Sequence, residues 1–270
     1  MLGALAALAF AAPAHAQGVA AGSETAASGI VSAVLSWDAG DIGPAHAKLS
    51  IARNGAVAFS REIPKVVCDG CQLNPTSGDD LRVADLDGDG EAEVIVTSYT
   101  GGQHCCTLIG VYGLIESSGT YSELVQDWQS SGFTLADLDH DGGLEISSRD
   151  IRFEDLFSSH FGSFPPPAVF EYERPGDLAP KLTDATTRFP SLIRRNAADA
   201  KKRFGRLHRG DPDGGGFVAA YVADQFLLGH GSTGLRELDH QIARGILGKP
   251  KAAKAYRSRL LKLLHRYGYR

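Results

Sequence analysis

The chain has 270 residues, 43% of them hydrophobic and 22% charged, with a formal net charge of −5. After an apolar start of roughly 13 residues, too short for a bilayer span, no segment reads as a transmembrane helix, which speaks against an integral helical membrane protein and fits two modest domains. The small net charge conceals a division: residues 191–270 hold 17 Lys or Arg against 6 Asp or Glu, a net of +11, and residues 1–190 hold 10 against 26, a net of −16.

In chain order, Leu2 to Ala12 is an unbroken small and apolar run, followed by Pro13 and the small-x-small signature Ala14-His15-Ala16. Residues 1–16 are expected to be a secretory signal peptide, although no basic residue precedes the apolar run. The mature protein is then expected to be exported, periplasmic or extracellular. Residues 17–29, rich in Ala, Gly and Ser, read as a flexible N-terminus. A β domain is expected over 30–190. Within it, residues 47–53 and 57–63 flank Asn54-Gly55, a strong hairpin signal, and further strands are expected at 107–112, 121–128 and 169–172.

Four cysteines fall within 39 residues: Cys68 and Cys71, then the adjacent Cys105 and Cys106. In an exported chain an even, clustered set reads as disulfides. Three connectivities are open. Two crosslinks between the 68–71 loop and the 105–106 strand are preferred over a vicinal bridge, which strains the peptide joining its residues. A zinc site from Cys68, Cys71, Cys105 and His104, or a redox-active Cys-x-x-Cys, are the competing readings.

The most informative feature is a repeated acidic loop. Asp85-Leu86-Asp87-Gly88-Asp89-Gly90-Glu91-Ala92-Glu93 is followed 52 residues later by Asp137-Leu138-Asp139-His140-Asp141-Gly142-Gly143-Leu144-Glu145. Each copy places carboxylates at positions 1, 3, 5 and 9 and glycine at 6, so that acidic side chains can converge while the backbone turns sharply. This suits a hard, oxygen-seeking cation, and Ca²⁺ is the expected one. Glu91 and Gly143, at position 7, complete the candidate set. An EF-hand is excluded because its bidentate ligand at position 12 would be Val96 or Ser148. The residues flanking the loops alternate apolar with polar or small, or are β-branched, so the loops join strands.

Read as Asp-Leu-Asp-Gly-Asp-Gly-x-x-Glu-Val between strands, the first loop resembles the FG-GAP or VCBS repeat family, whose calcium loops sit in β-propeller blades of integrin-like and bacterial secreted proteins. The second copy departs at His140 and Gly143 without losing a carboxylate. Tyr99 to Cys106 also resembles a segment of secreted proteins of this kind, and the resemblance covers roughly 68–190. It implies a metal-bound scaffold and no single activity. Three units fit into 30–190, fewer than a closed propeller holds, so an incomplete propeller-like or sandwich-like β domain is expected, with its open sheet edge covered by the residues after Pro190.

After Pro190 the period changes. Ile193, Ala197, Ala200 and Phe204 repeat at helical spacing, as do Leu235, Leu238, Ile242 and Ile246, and again Ala253, Tyr256, Leu260 and Leu264; Phe217 to Leu228 is a more apolar run. These periods predict a small helical bundle over 191–270, which makes the chain α+β, with Ser191 and Ser232 as expected N-caps. Its basic residues are expected to meet an outside anionic surface, such as lipid headgroups, or else to form solvated helix faces or dock on the acidic β half. The functional expectation is a calcium-binding protein that serves as a binding or adhesion module at the cell envelope, its partner a protein, a glycan or an anionic surface, with nucleic acid not expected. The alternative is a secreted metal-dependent hydrolase of an extracellular polymer, with His104 or His140 assisting metal-bound water.

Overall fold

The computed structural model describes residues 19–40, 44–63, 80–102, 105–174 and 178–270, with the backbone alone at 100–102 and 105–106. The expected signal peptide, Cys68, Cys71, His104 and the side chains of Cys105 and Cys106 lie outside the described residues.

Among the described residues twelve strands form three sheets, each a four-stranded antiparallel meander in chain order. The first sheet contains β1 (Gly22–Ser28), β2 (Val31–Asp38), β3 (Ala45–Arg53) and β4 (Ala56–Glu62). The second contains β5 (Leu81–Ala84), β6 (Glu93–Gly102), β7 (Cys105–Ile115) and β8 (Thr120–Asp127). The third contains β9 (Thr134–Ala136), β10 (Glu145–Arg149), β11 (Pro167–Glu173) and β12 (Lys181–Asp184). Among the described residues four α-helices follow: α1 (Pro190–Phe204), α2 (Gly214–Leu227), α3 (Gly231–Ala243) and α4 (Pro250–Arg266). The molecule is an α+β arrangement of three antiparallel sheets and four helices, with no closed barrel among the described residues.

The middle sheet explains why Val94-Ile95-Val96 is continuously apolar rather than alternating. Side chains of successive strand residues point to opposite faces. Val94 and Val96 pack with Leu35, Leu49 and Ile51 of the first sheet, and Ile95 packs with Ile146 and Tyr172 of the third. A strand buried on both faces needs apolar residues at every position. Truncating Ile95, 1% exposed, would cost about 2–5 kcal/mol as a cavity between two sheets.

The Asn54-Gly55 hairpin is present, with positive φ at both residues (50° and 79°) and β3 paired to β4. Within the stretch 17–29, expected to be flexible, the described residues include a strand. Gly22 to Ser28 form β1 and pair residue for residue with β2. Backbone hydrogen bonds carry that pairing, so small side chains at an edge do not prevent it. Two expected caps are also corrected. Helix α1 begins with Pro190 at its first turn and Phe189 as N-cap, and α3 has His230 at that position; neither N-cap side chain caps its helix by a hydrogen bond. Proline needs no such cap, since the N–H it lacks would have been an orphan.

The helices meet the third sheet through β11 and the short turns at 151–153, 160–162 and 186–188 rather than by covering a sheet edge. Polar bonds fix the seam. Arg149 Nη1 donates to Asn196 Oδ1 at 2.5 Å and the Tyr269 hydroxyl donates to Asp150 Oδ2 at 2.6 Å, while within the helical half Asn196 Nδ2 donates to Asp224 Oδ2 at 2.8 Å. The expected docking of basic helices onto acidic strands is not what holds the halves together. Among the described residues the ion pairs of the helical half join Lys202 to Asp199, His208 to Asp211 and Arg257 to Asp239, all within that half.

Candidate metal centre

Both acidic loops occupy the same place in their sheets, linking the first strand to the second: β5 to β6, and β9 to β10. The corresponding link in the first sheet is only Gly29-Ile30 and carries no acid.

The two loops fold alike because their side chains bind their own backbone in the same pattern. In the first, Asp85 accepts the N–H groups of Gly88 and Gly90, both at 2.8 Å, and Glu93 Oε2 accepts the Leu86 N–H at 2.9 Å. In the second, Asp137 accepts the His140 N–H at 2.6 Å and Glu145 Oε2 accepts the Leu138 N–H at 2.6 Å. Positions 4 and 6 are left-handed in both, with φ of 75° and 88° at Gly88 and Gly90 and 67° and 100° at His140 and Gly142. Histidine is among the non-glycine residues that tolerate this region, which is why the second copy survives its substitution at position 4.

These turns bring three carboxylates together in each loop. Ligand atoms of Asp85, Asp87 and Glu93 lie within 4.8 Å of one another, and so do those of Asp137, Asp139 and Glu145. The other expected residues fall outside these groups. Asp89 Oδ1 accepts the Glu91 N–H at 2.8 Å and its Oδ2 meets Arg174; Asp141 Oδ1 accepts the Gly143 N–H at 3.0 Å. Glu91 turns away, its carboxylate held bidentately by Arg53 at 2.9 Å on both oxygens. Gly143 is a contact point between loops, since a Cβ there would lie 3.1 Å from the Leu86 carbonyl oxygen. The Leu144 N–H donates to that same oxygen at 3.2 Å.

Electrostatics oppose this arrangement unless positive charge is supplied. Glu93 is fully buried, and burial, with Asp87 and Asp89 adding repulsion, pushes its carboxyl up to about 8 despite the Leu86 N–H. Asp87 and Glu145 are likewise raised, burial being the first cause in each. Glu93 Oε1 has no hydrogen bond; Arg174 Nη1 stands 3.7 Å from it.

Sequence reasoning did not find the two arginines that partner the loops. Arg174, just past β11 and with a side chain only 6% exposed, donates from Nη1 to the Leu114 carbonyl at 3.0 Å and from Nη2 to Asp89. Arg188 donates from Nη2 to Asp139 Oδ2 at 2.7 Å and from Nη1 to Glu171. Between the loops lies a cleft of about 460 Å³ lined by Asp87, Asp89, Asp141, Glu145 and both arginines. Tyr172 also lines it, its hydroxyl buried with no hydrogen-bond partner and lying 2.3 Å from where a Cβ on Gly113 would be. Gly113 is required there by close approach rather than by backbone conformation. Each trio of hard carboxylate oxygens could hold a divalent cation, and such a charge would favour the ionised forms of Asp87, Glu93 and Glu145, which burial disfavours.

No family model and no solved structure matches the chain. A probable thylakoid lumen protein of Synechocystis sp. (strain ATCC 27184 / PCC 6803 / Kazusa) is 31% identical over 153 residues. Those residues make up 55% of this chain and 44% of that protein, so the chain spans less than half the length of the relative it matches.

Proposed function

We propose that this is an exported or lumenal calcium-binding protein of FG-GAP or VCBS type, working as a binding module at or beyond a membrane. The three successive meanders act as the blades of an incomplete propeller, and the cations fix the loops at the equivalent end of the second and third blades. Asp85, Asp87 and Glu93 hold one ion; Asp137, Asp139 and Glu145 hold the other. The observation that carries the reading is the buried Glu93 carboxylate. Ionised, a buried group with an oxygen lacking any hydrogen bond, beside two more carboxylates, costs several kcal/mol unless a charge compensates it. Arg174 at 3.7 Å offers partial compensation, and a bound divalent ion would offer more. The compartment is supported by the apolar leader with its small-x-small end and by the lumenal relative.

The test is thermal unfolding with chelator and with calcium readded. A ligand that binds only the folded state adds about 2.7 kcal/mol at a hundredfold excess over Kd. Asp87→Ala should remove most of the response of the first loop and Asp139→Ala that of the second. An unchanged Tm on readdition of calcium to the chelated wild type would overturn the proposal.

A further inference from the structure

Strand β10 carries a loop carboxylate, Glu145, at its first residue and Arg149 at its last, about 13 Å further along at roughly 3.3 Å per residue. At that far end lies another cleft, of about 510 Å³, a size that suits a small organic ligand. Trp128 just past β8, Phe170 on β11 and Leu227 at the end of α2 supply its apolar lining. The cleft shares no residue with the two carboxylate trios.

Two arginines that line the cleft are each fixed by buried groups. Arg149 Nη1 donates to Asn196 Oδ1 at 2.5 Å and to the Pro165 carbonyl at 3.1 Å, and the buried Asn196 is itself oriented by Asp224, which is fully buried. Arg152 donates from Nε and Nη2 to the Asp150 carboxylate, both at 2.6 Å, and its guanidinium carbon lies 4.2 Å from the centre of the Tyr267 ring. Arg149 Nε and Nη2 and Arg152 Nη1 have no acceptor among the described residues. Guanidinium groups held in this way are pre-organised for a carboxylate.

The same cleft also holds acid that these arginines do not neutralise. Asp127 Oδ1 accepts the Gln129 N–H at 2.7 Å and Asp184 Oδ1 accepts the Thr186 N–H at 2.9 Å, and neither carboxylate has an ion-pair partner among the described residues. Strand register keeps Asp184 apart from Arg149. Arg149 is paired with Pro167 and Asp184 with Phe170, so Asp184 stands three residues, about 10 Å, further along β11 and on its other side.

We propose that this cleft binds an α-amino acid with an apolar side chain, its carboxylate on Arg149 and Arg152, its ammonium toward Asp184 and Asp127, and its side chain among Trp128, Phe170 and Leu227. A ligand with negative charge alone would leave the two aspartates unmatched, and one with positive charge alone would leave the arginines unmatched. A small molecule that carries both signs satisfies the whole lining. The apolar part of the cleft rejects a side chain with a third charge, which would be desolvated without a partner. The site does not rest on the cation loops.

The experiment is isothermal titration calorimetry of the full chain in chelator with L-leucine, L-phenylalanine, hydrocinnamate and phenethylamine. Both amino acids should bind. Hydrocinnamate, which lacks the ammonium of phenylalanine, and phenethylamine, which lacks its carboxylate, should each bind at least about tenfold more weakly. The double variant Asp127→Asn/Asp184→Asn keeps the oxygens that accept the Gln129 and Thr186 N–H groups. It should weaken L-phenylalanine about tenfold and leave hydrocinnamate no weaker, a discrimination that a folding defect would not produce. Arg149→Lys keeps the charge without the planar fork and should weaken both. L-Leucine does not fluoresce, so it should change the emission of Trp128 over the constant background of Trp37, which lies outside the cleft. Absence of heat and of an emission change with both amino acids in the millimolar range overturns the proposal. So does hydrocinnamate or phenethylamine that binds as tightly as L-phenylalanine, and so does wild-type affinity for L-phenylalanine in either variant.

Discussion

The two acidic loops share their acid spacing and their backbone pattern, yet they are set in different surroundings. The first is locked from outside: Arg53 clamps Glu91, the Arg174 side chain is 6% exposed, and Glu93 is fully buried. The second has glycine where Glu91 stands, and its arginine, Arg188, has a side chain 53% exposed. A repeat therefore fixes the turn but not its dielectric. How strongly each loop holds charge is decided by residues from other strands.

The largest way to probe this contrast is pH. Glu93 has a folded pKa of about 8 against an ordinary value of 4.5. Well below pH 4.5 folded and unfolded chains both hold the proton and the group contributes nothing to the balance. As pH rises toward 8 the unfolded chain releases the proton while the folded one keeps it, so metal-free stability should fall by up to about 5 kcal/mol and then level off. Glu93→Gln should flatten that slope in denaturant titrations, and calcium should flatten it in the wild type. Glu145→Gln should change the slope less, and an equal change would show that the two loops are electrostatically alike.

Next in size is the arginine pair. In chelator, Arg174→Ala leaves Asp87, Asp89 and Glu93 without their cation and should cost about 3 kcal/mol, whereas Arg188→Ala, at an exposed pair, should change little. Calcium should narrow the gap, since an ion replaces the guanidinium charge. A gap that calcium widens would mean that Arg174 supports the occupied loop instead of substituting for its ion.

The smallest effect concerns the turn itself. His140→Gly relieves a φ of 67° and should shift stability by less than about 1 kcal/mol. Its reading is the Tm in chelator, where loop geometry is unassisted.

Much of this was legible in the amino-acid order because local rules govern it. Asn54-Gly55 specifies a two-residue hairpin, the apolar periods after Pro190 specify helices, and phased acids with glycine specify the loops. What was not legible is non-local. Asp89 and Glu91 look like ligands in the motif and are drawn to Arg174 and Arg53, which lie 85 and 38 residues away in the chain. Strand β1 looks like a linker because its seven residues, Gly-Ser-Glu-Thr-Ala-Ala-Ser, have little apolar content, and it becomes a strand because β2 offers a free edge. The basic half looks complementary to the acidic half, but hydrogen bonds such as Tyr269 to Asp150 join them and leave the α4 charges outside.

The Leu86 carbonyl belongs to the first loop and receives the Leu144 N–H of the second. If both loops hold a cation as proposed, an ion that settled one turn would also settle an acceptor on which its neighbour depends, and the two occupancies would be linked. Reciprocity requires that whatever factor the first ion lends the second, the second lends the first. Should the proposed sites both fill, one peptide group between two sheets would be the route by which occupancy of one is felt at the other.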